Sequence, residues 1–277
     1  MGLRINTNVT SLSAQRTLGV NSADQERTLS KLSSGTRIVR AADDAAGLAI
    51  SEKLKAQIRG VTQAGRNAND GISLIQTAEG GMNEISNILI RLRELSIQSA
   101  SDTVGDAERQ FTNLEYQNLK QEIERISQVT EFNGKKLLNG TGESYDFQIG
   151  INNDSFQDRI RYNAGITNST MEGLGVASLS VSSKEESQGS LAVLDDAIQK
   201  ISGQRAELGA VQNRLSSTIQ NLQVSSENLN AANSRIRDTD YAAETAQNTR
   251  LNIMTQAGTS VLAQANSQGS AALKLIG

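Results

Sequence analysis

Apolar residues recur at every seventh position through the last third of the chain. The repeat comprises Leu194, Ile201, Leu208, Leu215, Leu222, Leu229 and Ile236. Ile198, Val211 and Ile219 fall on the same helical face. A heptad repeat sustained over this length is typical of one long helix that buries a seam against other helices. We therefore expect a helix from about residue 190 to residue 236, with the seven repeat residues forming its buried seam.

A matching heptad pattern runs through the first half of the chain. One heptad position holds Leu54, Val61, Ala68, Ile75, Met82 and Leu89, and its companion position holds Ile50, Ala64, Ala78, Ile85 and Leu92. Asp43 and Asp44 precede the pattern, where carboxylates can accept hydrogen bonds from the free N–H groups of a helix start. The pattern predicts a second long helix from residue 45 to about 101, on the order of 80 Å in length.

Two shorter amphipathic segments flank this helix. Residues 3–40 form the first segment, which ends at Gly35, a residue suited to a helix C-cap or a hinge. Residues 106–130 form the second segment, and residues 102–106 reverse the chain direction before it. Its expected buried side comprises Phe111, Leu114, Leu119, Ile123, Ile126 and Val129. Because the two helices share this turn, Arg91 and Glu115 should lie at similar heights.

The middle of the chain changes character. Asn-Gly dipeptides at residues 133–134 and 139–140 indicate turns. Residues 145–149 and 159–162 alternate apolar and polar side chains, as the two strands of a β-hairpin do. Residues 163–188 are rich in Ser, Gly and Asn, and we expect exposed loops or short strands there.

The C-terminal stretch, residues 241–277, carries only three charged residues, Glu244, Arg250 and Lys274. A terminal helix exposed on a monomer normally carries more charge. The stretch should therefore be disordered alone or packed between subunits. Its polarity matches that of the N-terminal stretch, so the two ends can pair with each other.

Composition excludes several classes of function. Proline, cysteine and histidine are absent, and aromatic residues make up 3%. Without His or Cys the common general bases, nucleophiles and metal ligands are missing, so we expect no enzyme, no cofactor and no metal site. Acidic pairs such as Asp195-Asp196 and Glu185-Glu186 fit solvated charge near a helix start. With a net charge of −3 and dispersed basic residues, nucleic acid is not an expected partner.

Membrane insertion and a cleaved signal are not expected either. No stretch reaches the roughly 18 uninterrupted apolar residues of a membrane span. The first ten residues lack the apolar core of a Sec-type signal peptide. A protein of this kind would need another route out of the cytoplasm.

Several runs of residues resemble bacterial flagellin. They include Leu32-Ser33-Ser34-Gly35, residues 42–47, 60–71, 208–215 and 234–241, and the most specific run, residues 256–266. Together they cover nearly all of residues 1–140 and 190–277. The last residues, Leu273-Lys274-Leu275-Ile276-Gly277, depart from the Leu-Leu-Arg ending common in that family.

The resemblance implies a subunit that polymerises into the helical filament of the bacterial flagellum and serves swimming motility. We expect a mainly α fold: an elongated antiparallel helical bundle or coiled-coil rod, with a small β-hairpin and terminal helices forming an inner coiled coil. Residues 1–43 and 238–277 would form that inner coiled coil, disordered in the monomer. Residues 44–237 would form the helical rod domain, with hairpin and loops at about 131–189.

The resemblance also implies partners and a location. The subunit would bind other copies of itself and be secreted through the flagellar type III export apparatus to the extracellular filament. A flagellin export chaperone would bind the C-terminal segment, and filament cap and hook-junction proteins would contact the polymer. Two alternatives stay open: a hook–filament junction protein with the same terminal architecture and, more distantly, an intracellular coiled-coil adaptor.

Residues 90–97 resemble the flagellin segment engaged by Toll-like receptor 5 of the host's innate immunity. Glu115 matches the acidic contact of the family on the neighbouring helix. The resemblance implies receptor contact by Arg91, Leu95 and Glu115 of the monomer, with forked hydrogen bonds from Arg91 and an apolar anchor in Leu95. The alternative is an ordinary amphipathic helix with a solvated Arg91.

Overall fold

The computed structural model describes residues 7–142 and 144–274, with side chains described as far as residue 267. The helices are α1 (Val9–Ser34), α2 (Ala45–Ser99), α3 (Asp106–Val129), α4 (Met171–Leu174), α5 (Lys184–Arg237) and α6 (Tyr241–Lys274). The strands are β1 (Glu131–Phe132), β2 (Lys135–Lys136), β3 (Ser144–Gln148) and β4 (Arg159–Asn163). The fold is mainly α with a small β-hairpin, β3–β4, as predicted, and β1 and β2 form a second, shorter antiparallel pair. The ending that departs from the flagellin pattern, residues 273–277, lies outside the described residues from residue 275 onwards.

The chain divides into two compact units, one drawn from residues 1–56 and 228–277 and the other from residues 57–227. In the first unit α1 and α6 pair in antiparallel fashion. The Asn8 side-chain amide donates to the Ala265 carbonyl over 2.8 Å, and Gln25 donates to Asn252 over 2.5 Å. The two helices approach closely at Gly258. A Cβ atom on this residue would lie 3.0 Å from Leu18 Cδ1. Small side chains therefore permit this contact.

The two residues that flank α1 cap its ends. The Asn8 side chain accepts a hydrogen bond from the Ser11 N–H over 3.1 Å. Gly35 follows the helix with a φ of 70°, a left-handed conformation that favours glycine, and its N–H donates to the Lys31 carbonyl. The predicted C-cap at Gly35 is confirmed.

Asp44 is the predicted cap of α2, whereas Asp43 binds the turn before the helix and does not cap it. Asp44 Oδ1 accepts from the Gly47 N–H over 2.8 Å at the start of α2. Asp43 Oδ2 accepts from the backbone N–H groups of Arg40 and Val39. The Arg40 N–H contributes most to holding the pKa of Asp43 below its ordinary value. Both carboxylates thus serve the turn that leads into α2.

The core of the second unit lies among α2, α3, α5 and the connecting segments. Most of the heptad residues of α2 are buried there, although Ile50, which lies in the first unit, is 52% exposed. The prediction for α3 was partly wrong: Ile123 is buried and Leu119 and Ile126 are half-buried, but Phe111, Leu114 and Val129 are exposed. The inward face of α3 follows a helical spacing through Arg109, Tyr116, Lys120, Ile123 and Ser127, and of these only Ile123 belongs to the predicted buried side.

The hairpin forms as predicted, with β3 and β4 antiparallel and Tyr145 opposite Tyr162. Their rings stack at a centroid distance of 6.2 Å. Residues 163–188 are not mainly exposed loop, which corrects the prediction. The buried residues of this segment are Ala164, Thr167, Ser169, Leu174, Val176, Val181 and Ser187. α5 also begins earlier than expected, because the Ser183 hydroxyl accepts from the Glu186 N–H and caps the helix.

Candidate interaction surface on α2 and α3

Arg91 on α2 and Glu115 on α3 meet on the surface of the second unit. The Arg91 Nε and Nη2 atoms donate to Glu115 Oε1 over 3.1 and 2.9 Å. Nη1 donates to Glu94 Oε2 over 3.0 Å. These carboxylates, Glu115 first, raise the pKa of the Arg91 guanidinium. The predicted proximity of Arg91 and Glu115 is confirmed, and about half of each side chain stays exposed.

Leu95 does not share this surface. Its side chain is 2% exposed, and it points into the core together with Leu92. The expected apolar anchor is therefore a core residue, because it continues the apolar face of α2 by one helical turn beyond Leu92. In this structure it offers no side chain to a partner.

Exposed apolar side chains lie elsewhere on the two helices. Ile90 and Ile97 of α2 and Phe111 and Leu114 of α3 are each about half exposed or more. The sequence pattern predicts Phe111 and Leu114 on the buried side of α3, and for these two residues the prediction is wrong. An exposed arginine–carboxylate cluster on helices that also show apolar side chains is suited to binding another protein.

Arg109 fixes the turn that brings the two helices together. Its side chain is buried, and it donates to the backbone carbonyls of Ser99 and Ser101 over 2.9 and 3.0 Å. It also donates to Asp106 over 2.8 Å. The guanidinium thus binds the carbonyl of Ser99, the last residue of α2, and the carbonyl of Ser101 in the turn that follows. No feature of the heptad pattern pointed to this residue.

The seven repeat residues of α5 differ in burial. Leu194, Ile201, Leu208 and Leu215 are fully buried in the second unit. Leu222, Leu229 and Ile236 are only half-buried. The seam is therefore most deeply buried at its first four residues.

Neither a membrane span nor a metal cluster is found in the described part of the chain. None of the helices described is long and apolar enough to cross a bilayer. Within residues 7–142 and 144–274, no three acidic side chains gather as metal ligands would.

Comparisons with known proteins agree with this architecture. Residues 5–143 match the family model described as the bacterial flagellin N-terminal helical region, and residues 191–276 match the bacterial flagellin C-terminal helical region. A flagellin of Halalkalibacterium halodurans is 45% identical over 274 residues, which cover 98% of this chain and 99% of the relative.

Two further proteins are similar. The flagellar filament 33 kDa core protein of Treponema phagedenis is 43% identical over 288 residues, covering 98% of this chain and 99% of the relative. The crystal structure of Bacillus cereus flagellin superposes with a TM-score of 0.51 at 31% identity, covering 57% of this chain and 88% of that chain. Both curated relatives are flagellin or filament proteins, which favours a filament subunit over a junction protein or an intracellular adaptor.

Proposed function

Because this chain belongs to the bacterial flagellin family and is a structural subunit of the flagellar filament, we propose that its terminal helices form the inner part of the polymer. In this proposal residues 1–43 and 238–277 build the inner coiled coil, and residues 44–237 build the surrounding domain. The loops and hairpin at about 131–189 lie towards the outside.

The apolar side chains left exposed on α1 and α6 carry this proposal. More than half of each of the following side chains is exposed: Val9, Leu12, Val20, Leu29, Ile253 and Val261. α6, against which α1 packs, carries only three charged residues in 34. Other copies of the chain are the natural cover for the exposed apolar side chains of this pair. A contact that joins two different surfaces and does not close into a ring extends as a helical polymer.

Seeded assembly tests the proposal. Purified monomer added to filament fragments should lengthen them, as seen by electron microscopy, and Val20→Asp should block lengthening by placing a charge in the inner coiled coil. Ser183→Asp, which keeps an N-capping side chain at the start of α5, is the control. Normal lengthening by Val20→Asp would rule out the inner position of α1, and failure of the unaltered protein would rule out assembly itself.

We also propose that the subunit is secreted through the flagellar type III apparatus, with an export chaperone on its C-terminal segment. In the monomer Leu251 and Ala265 of α6 are buried in the first unit. A chaperone would cover the same apolar side chains before export and compete with α1 for them. Deleting residues 238–277 should therefore abolish co-purification with the chaperone, whereas deleting residues 7–34 should leave it intact. Filament cap and hook-junction proteins would meet the subunit only after export.

A second candidate function is recognition of the monomer by Toll-like receptor 5. The half-exposed Arg91–Glu115 pair favours it, because a guanidinium already held in position can offer its remaining hydrogen bonds to a partner at low entropic cost. Leu95 is a core residue and contributes no receptor contact in this proposal. The decisive experiment compares receptor signalling by the Arg91→Ala monomer with that by the Arg93→Ala monomer.

A further inference from the structure

The two compact units of the chain carry net charges of opposite sign. The first unit, residues 1–56 and 228–277, holds twelve basic and eight acidic residues, a net charge of +4. The second unit, residues 57–227, holds fifteen basic and twenty-two acidic residues, a net charge of −7. Because like charges repel, two copies meet most readily with the first unit of one against the second unit of the other.

The first unit has a basic cleft between the end of α1 and the segment before α2. Its volume is about 390 Å³, and three cationic side chains line it: Arg27, Lys31 and Arg40. Asp43 shares the lining, but its Oδ2 atom already accepts from the backbone N–H groups of Val39 and Arg40. The basic cleft therefore holds more cationic donors than its own carboxylate can satisfy.

The cations of the basic cleft are weakly engaged by the rest of the first unit. The Arg40 guanidinium is exposed and donates no side-chain hydrogen bond to any described residue. Arg27 contacts Asp24 over 3.3 Å in an exposed pair. The contact of Lys31 with Glu244 is long, at 3.9 Å. Such pairs contribute little stability, so a carboxylate from outside can compete for these cations.

Carboxylates gather in the second unit where the turn between α2 and α3 meets the start of α5. The Lys184 ammonium binds Asp102 over 2.6 Å and joins these two segments. Arg109 is buried and bound to backbone carbonyls, so Lys184 is the more exposed cation of this region. The carboxylates of this acidic turn are Asp102, Asp106, Glu108, Glu185 and Glu186.

Two carboxylates of the acidic turn are available to a partner. Glu108 and Glu185 are exposed, and neither side chain has a hydrogen bond or ion pair in the part of the chain that the structure describes. Other exposed carboxylates of the second unit are held by arginine: Glu115 by Arg91, Asp195 by Arg93 and Asp146 by Arg161. Single unpaired carboxylates also occur there, but the acidic turn combines two of them with three more. It is therefore the part of this unit best suited to bind several cations at once.

We propose that the basic cleft of one copy binds the acidic turn of a second copy. This inference rests on the proposed filament and assigns the charged surfaces of one of its contacts. The guanidinium groups of Arg27 and Arg40 offer paired donors that fit carboxylates. Because the two surfaces differ, the second copy keeps a free basic cleft for a third, and the contact can extend from copy to copy.

Charge reversal on each surface tests the proposal. Arg40→Glu and Glu185→Lys each reverse one charge without removing a side-chain hydrogen bond of the monomer. Each should slow the lengthening of filament fragments about tenfold, because opposite charges steer the copies together. Lys53→Glu and Asp196→Lys are the matched controls, since they change the net charge equally at exposed positions outside the two surfaces. Both controls should lengthen fragments near the parent rate, and equal slowing by them would overturn the proposal.

Cross-linking tests the contact directly, because the chain has no cysteine of its own. Monomers with Arg40→Cys and monomers with Glu185→Cys are polymerised together and treated with a short bis-maleimide, which couples two thiols by adding each to a carbon–carbon double bond. Covalent dimers should form in the mixed filaments and not in filaments of either variant alone. Lys53→Cys in place of Arg40→Cys should give no dimer.

The outcomes separate the contact from filament formation itself. Mixed filaments without dimers would overturn the proposed contact, as would dimers in filaments of one variant alone, which would show that like surfaces meet. Failure of the parent to lengthen fragments would instead contradict the proposed function, and the contact with it.

Discussion

Lys120 of α3 donates a hydrogen bond to the backbone carbonyl of Leu179 over 2.7 Å while its residue is only 5% exposed. The same ammonium donates to the Ala177 carbonyl over 2.7 Å. Gln117 also donates to Leu179, and Asn113 accepts from the Val181 N–H. Three residues on one face of α3 thus bind the main chain of the segment before α5.

Replacing Lys120 should release this segment. Lys120→Met keeps the length of the side chain but leaves two carbonyl groups without their donor, and we expect a loss of about 2–3 kcal/mol in the free energy of unfolding at neutral pH. Urea unfolding followed by circular dichroism measures this loss. Gln117→Met, which removes one uncharged donor to the same segment, should cost less, about 1 kcal/mol. Equal losses would show that the ammonium has no special role.

The difference between the parent and Lys120→Met should also depend on pH. Burial lowers the pKa of Lys120 in the folded chain, so the unfolded chain binds the proton more tightly. The Lys120 contribution to stability is therefore smallest below the lowered pKa and rises with pH until the unfolded lysine, with a pKa of about 10.4, has also lost its proton. When both proteins are unfolded between pH 8 and pH 10.5, the free energy of unfolding of the parent should rise relative to that of the variant. A constant difference would contradict the assigned burial.

Adjacent glycines of α2 give a prediction with its control built in. A Cβ atom on Gly81 would lie 2.7 Å from Thr130 Oγ1 and 2.8 Å from Leu138 Cδ1, whereas one on Gly80 would meet nothing within 4 Å. Thr130 is tied to Ile126, and Leu138 is fully buried, so neither can easily move away. Gly80→Ala should stabilise the protein by about 0.5–1 kcal/mol through helix propensity. Gly81→Ala should destabilise it by about 1–3 kcal/mol. Thermal unfolding of both variants measures these two opposite changes in stability.

The periodicity of the sequence predicted the long helices because each buries one continuous apolar face. The Gly35 cap and the Asp44 cap were also predictable, since both act within a few residues of their own position. The prediction for α3 was partly wrong because its inward face includes Lys120, whose ammonium binds the carbonyls of Ala177 and Leu179 far along the chain. Local hydrophobicity cannot predict such a partner. The burial of Arg109 was missed for a related reason, since its guanidinium binds backbone carbonyls of the turn after α2.

The seam prediction can be tested at two positions of one repeat. Leu215 is fully buried, whereas Leu222, one heptad later, is half-buried. Leu215→Asp should place an unpaired charge in the core and lower stability by several kcal/mol, roughly 4 or more. Leu222→Asp can keep its carboxylate in water and should lose about half as much. Melting temperatures provide the comparison, and a larger loss at Leu222 would mean that the seam continues undiminished beyond Leu215.

Two arginines of α2 allow the receptor proposal to be tested against a close match. Arg91 is bound to Glu115 of α3, and Arg93, two residues further, is bound to Asp195 of α5 on the other side of the helix. Their side chains are similarly exposed. Alanine at position 93 removes one surface ion pair, and alanine at position 91 removes two, with Glu115 and Glu94; each pair has a small stabilising effect.

If Toll-like receptor 5 binds the α2–α3 side of the monomer, Arg91→Ala should weaken signalling at least tenfold, about 1.4 kcal/mol, while Arg93→Ala should leave it near the parent. A reporter cell line expressing the receptor, titrated with purified monomer, gives both values. Chemically cross-linked filaments should signal far less than monomer if neighbouring copies cover this side. Equal effects of the two alanine variants would refute the contact, since a general loss of surface charge would then explain both. Equal signalling by filament and monomer would refute the proposal that neighbouring copies cover this side in the filament.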